Sequence, residues 1–142
     1  MLELAKLHFD EWRHFRPCKT LEDRIKIMRA MAESDEMPCM VVAFDANRLI
    51  GSAALVHDDM RTRKDLSPWL AGVYVKSEFR HKGIATTLVA HIEKLAEQRG
   101  IRKLYLYTEH ARDLYASLGW VDLQAVEYQG VNVVIMSRQL DT

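Results

Sequence analysis

Apolar residues recur with helical spacing along much of the chain. Between residues 83 and 99 they lie three or four positions apart and form one continuous stripe on the surface of a helix. Gly100 follows, at the position where glycine commonly ends a helix. Similar spacing occurs in three further stretches, at residues 2–15, 20–34 and 111–118. The pattern therefore predicts four helices.

Six shorter apolar segments, bounded by turn residues, predict strands. They are Cys39–Asp45, 49–56, Trp69–Val75, Lys103–Thr108, 120–128 and 131–138. The first two are expected to pair as a hairpin, and the charged residues 57–68, which lack periodicity, are expected to form a loop. The order strand, helix, strand between Trp69 and Thr108 predicts two parallel strands joined by a right-handed crossover. We therefore expect an α/β fold with a mixed sheet.

The composition narrows the class of protein. A chain of 142 residues that is 49% hydrophobic is expected to form one domain, residues 1–142, with its own core. Twenty basic and twenty acidic residues cancel, which argues against non-specific nucleic-acid binding. No apolar run approaches the roughly 20 residues of a membrane span, and the first residues do not resemble a secretory signal. Cys18 and Cys39 lack metal-ligand spacing, so we expect free thiols, no metal and a cytoplasmic protein.

The junction of the third strand and the long helix is the most informative segment. The Val-Tyr-Val strand that ends at Val75 leads into the basic turn Arg80-His81-Lys82 and then into Gly83 and the helix. The first N–H groups of a helix have no intrahelical partner, and the helix dipole favours an anion there. Glycine lets a ligand approach the backbone, and the cations add charge. The pattern favours a pyrophosphate site, although an ordinary basic turn at a surface helix would have the same residues.

Two segments resemble motifs of one family. Arg80-His81-Lys82-Gly83-Ile84-Ala85 is similar to the Arg/Gln-x-x-Gly-x-Gly/Ala loop of the GNAT superfamily of acetyl-CoA-dependent N-acetyltransferases. Downstream, the segment from Thr108 to Trp120 resembles that family's Asn-x-x-Ala-x-x-Leu-Tyr-x-x-Leu-Gly-Phe, with Thr108 where many members have Asn. The two motifs lie in the family's order and spacing, and the resemblance covers nearly the whole chain.

This resemblance implies a GNAT fold, in which a mixed sheet of antiparallel hairpins contains one parallel pair of strands that splay apart. The chain departs from the family at its start. Residues 2–5 already have the character of the first helix, where the family usually has a strand. We expect that strand to be absent or to lie upstream. Its absence would expose a sheet edge able to pair with another chain, which would allow a homodimer.

The resemblance also implies which residues bind acetyl-CoA. The pantetheine arm would lie between the splayed strands and pair with the main chain of the first of them. The residues implied there are Val73, Tyr74 and Val75. Those implied to wrap the pyrophosphate are Arg80, His81, Lys82, Gly83, Ile84, Ala85 and Thr86. Thr108 would contact the arm, and a main-chain N–H of the strand would hold the thioester oxygen.

Tyr115 matches the family's common general acid, which would protonate the departing CoA thiolate. Its alternative role is that of a core aromatic residue. Because the amine must be neutral to attack, a base or a chain of ordered water is also needed. Asp59 and Glu109 are the preferred candidates, with His57 and Asp58 as further ones, and a solvated loop charge is the alternative for each.

The loop at residues 57–69 is expected to border the acceptor. Its acids would favour a cationic amine, Arg61 and Arg63 would favour an anionic group, and a self-neutralised surface loop is equally compatible. The predicted function is direct transfer of acetyl from acetyl-CoA to a primary amine of a small molecule or peptide, in a ternary complex. The alternatives are a non-catalytic module that senses acyl-CoA and, against the neutral charge, a nucleic-acid binder.

Overall fold

The computed structural model describes residues 21–33 and 36–140. The helices are α1, Leu21–Glu33; α2, Ile84–Gln98; and α3, Arg112–Ser117. The strands are β1, Cys39–Asp45; β2, Arg48–Val56; β3, Trp69–Val75; β4, Lys103–Thr108; β5, Val121–Tyr128; and β6, Val131–Gln139. These bounds confirm the predicted elements to within one residue at each end. The helix predicted at residues 2–15 and the expectation of a missing first strand lie outside the described residues.

The six strands form one mixed sheet in the order β1-β2-β3-β4-β6-β5. Strands β3 and β4 are parallel, and every other pair of neighbours is antiparallel. Because α2 lies between β3 and β4 in the chain, these elements form the predicted unit of parallel strands joined by a helix. Among the described residues, α2 is also the longest helix.

The parallel strands diverge soon after they begin. Trp69 of β3 pairs with Tyr105 of β4, and among the described residues this is their one position of register. On its other side, β3 carries a bulge opposite β2, where Gly72 has a φ of +58°. The fully buried Ser52 hydroxyl donates to the Gly72 carbonyl at 2.9 Å and fixes the bulge. The predicted splay is therefore confirmed.

The two faces of the sheet are covered differently. Helix α2 buries Leu88 and Ile92 against one face, with Cys39 among their partners. Met40, the next residue along β1, packs instead with Met31 of α1. Because side chains alternate along a strand, α1 and α2 lie on opposite faces. Further along the α1 face, Met60 and Leu66 of the 57–68 loop complete the cover by packing with Trp69 and Ile135.

Within the part of the chain that the structure describes, no helix is both long and apolar enough to cross a membrane.

Candidate functional site

A cavity of about 440 Å³ opens where β3 and β4 diverge. It runs along the β3 main chain, from the loop after β2 to the basic turn before α2, and α3 closes it on the β4 side. The described residues that line it are 70–75, 79–81, 83–86 and 106–111, together with Asp59, Leu114 and Tyr115. Almost every residue implicated by sequence therefore lies at this one cavity.

Three of the residues implicated in cofactor binding or catalysis lie elsewhere. Lys82 does not line this cavity; its ammonium lies 5.5 Å from the centre of the Phe79 ring and borders a neighbouring cavity of about 840 Å³ beside β1. His57 and Asp58 are exposed and also do not line the cavity. Of the charged residues in the 57–68 loop, all of which the structure describes, Asp59 alone lines it.

The basic turn has the backbone geometry of an anion-binding site. Gly83 and His81 both have left-handed backbones, with φ values of +82° and +64°. Gly83 adopts this conformation without strain, whereas His81 does not, and such strained residues occur often at binding sites. Turns of this kind point successive N–H groups at one concavity, called a nest. No described side chain caps the start of α2, so its first N–H groups are available to a ligand.

Two side chains hold this turn in place. Arg80 donates from Nε to the Val75 carbonyl at 2.8 Å, and its guanidinium lies 5.4 Å from the centre of the Tyr74 ring. The Thr87 hydroxyl donates to the Gly83 carbonyl at 3.0 Å, alongside the Thr87 N–H at 3.1 Å. Arg80 therefore ties the turn to the end of β3. The positive charge of the Arg80 guanidinium therefore stays beside the N–H groups of the turn.

Tyr115 reaches the cavity from α3. It is 7% exposed, and its ring meets the Trp120 ring edge-on, with centroids 6.2 Å apart. Burial raises the pKa of Tyr115 to about 12, because the anionic phenolate would lose its hydration. The hydroxyl consequently keeps its proton at neutral pH. A buried phenol that holds a proton beside a cavity is able to act as a general acid.

Residues 108–111 connect β4 to α3 and form the wall beside Tyr115. The Thr108 hydroxyl accepts the N–H of Ala111 at 2.9 Å and so shapes this connection. The side chain of Glu109 is 32% exposed, and its Oε1 lies 3.5 Å from Nε2 of His110. Glu109 follows Thr108, the last residue of β4, and lines the cavity on the side opposite β3.

Sequence reasoning missed the pair that shapes the middle of the site, Ser52 and Gly72. A glycine inside a strand pattern is a known signal of a bulge, and Gly72 offered that signal. Nothing in the sequence pairs it with Ser52, 20 residues earlier. The bond from Arg80 to the Val75 carbonyl was missed in the same way, because it depends on how the turn folds back on β3.

Comparisons with known proteins agree with this architecture. Residues 1–120 match the sequence model of the acetyltransferase (GNAT) family. An aminoglycoside 6'-N-acetyltransferase complexed with coenzyme A superposes with a TM-score of 0.72 at 18% identity, over 97% of this chain and 91% of that one. The PaiA N-acetyltransferase of Thermoplasma acidophilum, in complex with coenzyme A, gives 0.69 at 20% identity over 97% and 92%. Aminoglycoside 6'-acetyltransferase type Ii gives 0.69 at 20% identity over 99% and 92%.

At such identities the solved structures show a shared fold alone. No curated protein matches the chain.

Proposed function

The chain belongs to the GNAT family of acetyltransferases, and from that premise we propose that it transfers acetyl from acetyl-CoA to a primary amine. One observation carries the proposal. A single cavity contains an anion-binding turn, an open strand edge and a buried phenol that holds its proton. Acetyl-CoA has matching parts in the same order: a pyrophosphate, an arm with two amide groups, and a thioester.

The described residues suit each part of acetyl-CoA. The N–H groups of the Gly83 turn, with Arg80 beside them, would bind the pyrophosphate. The main chain of β3 lacks a strand partner along most of the β4 side, as far as the structure describes it, so it would pair with the amides of the arm. These contacts would place the thioester in the part of the cavity between β3 and the wall that Glu109 and Tyr115 line.

Bound acetyl-CoA would supply an activated acetyl carbonyl to a neutral amine. The amine nitrogen forms a bond to the carbonyl carbon, and the carbon–sulfur bond breaks. Tyr115 gives its hydroxyl proton to the departing thiolate sulfur, and a main-chain N–H of β3 near the bulge holds the carbonyl oxygen. Glu109 takes the proton that the incoming ammonium loses. Asp59, in the loop that precedes β3, is the alternative base. As the amide forms, its nitrogen loses a second proton, which replaces the one that Tyr115 gave to sulfur, so each turnover releases one proton to solvent.

Binding is tested by the melting temperature with and without acetyl-CoA. A ligand at a hundred times its Kd adds about 2.7 kcal/mol to the free energy of unfolding. Gly83→Ala and Gly100→Ala form a matched pair, because φ is +82° and +77° and a Cβ at either position meets no atom within 4 Å. Both should lose about 1 kcal/mol of stability to backbone strain. The shift caused by acetyl-CoA should fall in Gly83→Ala alone, since its Cβ would occupy the cavity.

Catalysis is tested by thiol release from acetyl-CoA over a broad panel of primary amines. Turnover of at least one amine is the expected result. Binding of acetyl-CoA without release of thiol for any amine would contradict the enzyme and favour an acyl-CoA sensor. Equal loss of binding in Gly83→Ala and Gly100→Ala would contradict the role of the turn.

A further inference from the structure

Helix α3 is short and ends in a turn that is bonded to Tyr115 itself. The helix has six residues, and Tyr115 is one of its residues that line the cavity. The main-chain N–H of Trp120 donates to the Tyr115 carbonyl at 3.0 Å, and that of Gly119 donates to the Ala116 carbonyl at 3.2 Å. These two bonds are the helix end with glycine that is called a Schellman motif. The position of Tyr115 therefore depends on where the Gly119-Trp120 turn lies.

The guanidinium of Arg138 occupies the space beside Gly119. The φ of Gly119 is +100°, and a Cβ at this residue would lie 2.5 Å from Nη1 and 3.1 Å from Cζ of Arg138. Glycine is therefore required both for the left-handed backbone and for the close approach. Arg138 belongs to β6, where it pairs with Leu104 of β4. The side chain that supports the turn thus starts from the sheet.

A carboxylate on α2 holds this guanidinium from the other side. Oε2 of Glu93 lies 3.5 Å from Nε of Arg138. Burial raises the pKa of Glu93, and both the charge of Arg138 and the indole N–H of Trp120 oppose that shift, so both groups lie near the carboxylate. The indole N–H is buried and makes no hydrogen bond of ordinary length with a described residue. Arg138 is therefore held between α2 and the turn that follows α3.

We infer that Arg138 is a positioning residue for Tyr115. This inference rests on the proposed acetyltransferase activity, with Tyr115 as its acid. Arg138 does not line the cavity, so it acts through the Gly119-Trp120 turn, which sets where the Tyr115 hydroxyl lies relative to the departing sulfur. A displacement of about 1 Å at the reacting groups can lower the rate by about 10²-fold.

A double-mutant cycle between Arg138→Met and Tyr115→Phe separates positioning from general support of the fold. Methionine keeps an unbranched apolar side chain and removes the guanidinium. We expect Arg138→Met to lower kcat by about tenfold when Tyr115 is present. In Tyr115→Phe, which has no proton to place, the same change should lower kcat by less than about twofold. The Kd of acetyl-CoA should change by less than about twofold in either background, because Arg138 lies outside the cavity lining.

Arg112→Met is the matched control, because it removes another guanidinium that holds α3. Arg112 donates to both carboxylate oxygens of Asp122 on β5, at 3.0 to 3.2 Å. Its side chain is 47% exposed, and exposed ion pairs contribute little to stability. In Arg112→Met, kcat should stay within about twofold of wild type at a temperature where circular dichroism shows that every variant is folded.

Hydrogen exchange tests the same contact without turnover. In Arg138→Met, the main-chain amides of Gly119 and Trp120, which form the turn, should exchange at least about fivefold faster than in wild type. The same amides in Arg112→Met should exchange at the wild-type rate.

Three results would overturn the inference. An equal loss of kcat with and without the Tyr115 hydroxyl would mean that Arg138 supports the fold and does not position the acid. An equal loss of kcat in Arg112→Met would mean that α3 has no special dependence on Arg138. Unchanged exchange at Gly119 and Trp120 would mean that the guanidinium does not hold the turn. Absence of thiol release with every amine would instead refute the acetyltransferase activity itself, and the exchange rates would still report on the contact, so the two failures are distinguishable.

Discussion

The ring and the hydroxyl of Tyr115 can be separated by substitution. The ring packs against the Trp120 ring, and the main-chain N–H of Trp120 donates to the Tyr115 carbonyl at 3.0 Å, which fixes the end of α3. Phenylalanine keeps the ring contact and removes only the proton donor. Tyr115→Phe should therefore lower kcat by about 10²-fold or more. The Kd of acetyl-CoA, measured by titration calorimetry, should change by less than about twofold, since uniform binding is retained.

The pH profile provides the control for this role. Because burial raises the pKa of Tyr115 to about 12, the wild-type hydroxyl stays protonated through the neutral and mildly basic range. The rate should therefore not fall through loss of this proton below about pH 10. A basic decline within that range that disappears in Tyr115→Phe would show that the residue ionises earlier. Full turnover by Tyr115→Phe would exclude the acid role.

Strand β3 depends on its bulge to present its main chain to the cavity. The Ser52 hydroxyl from β2 bonds the Gly72 carbonyl at the bulge, and both residues are buried. Ser52→Ala leaves that carbonyl without this donor, which costs about 1–3 kcal/mol of stability. The substitution also lets the strand shift near the reacting groups, where a displacement of about 1 Å can lower the rate by about 10²-fold. We expect kcat to fall about tenfold, a smaller loss than that full displacement would cause.

Ser137→Ala is the control for this change, because Ser137 is another buried serine, on β6, outside the cavity lining. It should leave kcat unchanged at a temperature where both variants are folded, as judged by circular dichroism. A loss of stability in Ser52→Ala without any loss of kcat would show that the bond supports the fold but does not position the site.

The elements were predictable because their signals are local. The apolar residues of α2 recur every three or four positions, which fits a helix and not a strand, and Gly100 marks the end of the helix. Strands β3 and β4 were predicted at their observed bounds. The position where they separate was expected only from a family resemblance, because pairing between distant segments leaves no mark in either segment. The bulge at Gly72 and the bond from Arg80 to Val75 depend on the same distant pairing, and they were not predicted.

At the scale of the whole molecule, the order of the strands decides which residues come into contact around the site. Strand β6, the later strand of the β5-β6 hairpin, pairs with β4. Strand β5 therefore lies at the sheet edge. This brings Arg138 of β6 beneath Gly119, where a Cβ would come within 2.5 Å of the guanidinium. The Leu-Gly-Trp segment after Tyr115 therefore rests on Arg138. Sequence predicted both strands of this hairpin but not this neighbour, since strand order is a property of the assembled sheet.

The same arginine connects β6 to α2 through Glu93. Nε of Arg138 lies 3.5 Å from Oε2 of Glu93, whose side chain is 13% exposed. Burial raises the pKa of Glu93, and the charge of Arg138 only partly opposes this effect. The folded protein thus favours the neutral acid. The stability that the neutral Glu93 carboxyl contributes is complete below the pKa that Glu93 has in the unfolded chain. This stability is lost as the pH rises through the higher pKa that Glu93 has in the folded protein.

Glu93→Gln makes this linkage measurable, because glutamine resembles the protonated acid and does not ionise. Between about pH 4 and about pH 7, the free energy of unfolding of Glu93→Gln should rise relative to wild type. Urea titrations at each pH measure the difference. Glu97 adds to the raised pKa of Glu93 through its charge, so the rise should be smaller when both proteins also carry Glu97→Gln. A difference that is constant with pH would mean that the attraction of Arg138 cancels the effect of burial. A difference that falls as the pH rises would mean that this attraction outweighs burial. The link between α2 and β6 would then be a net favourable ion pair at neutral pH.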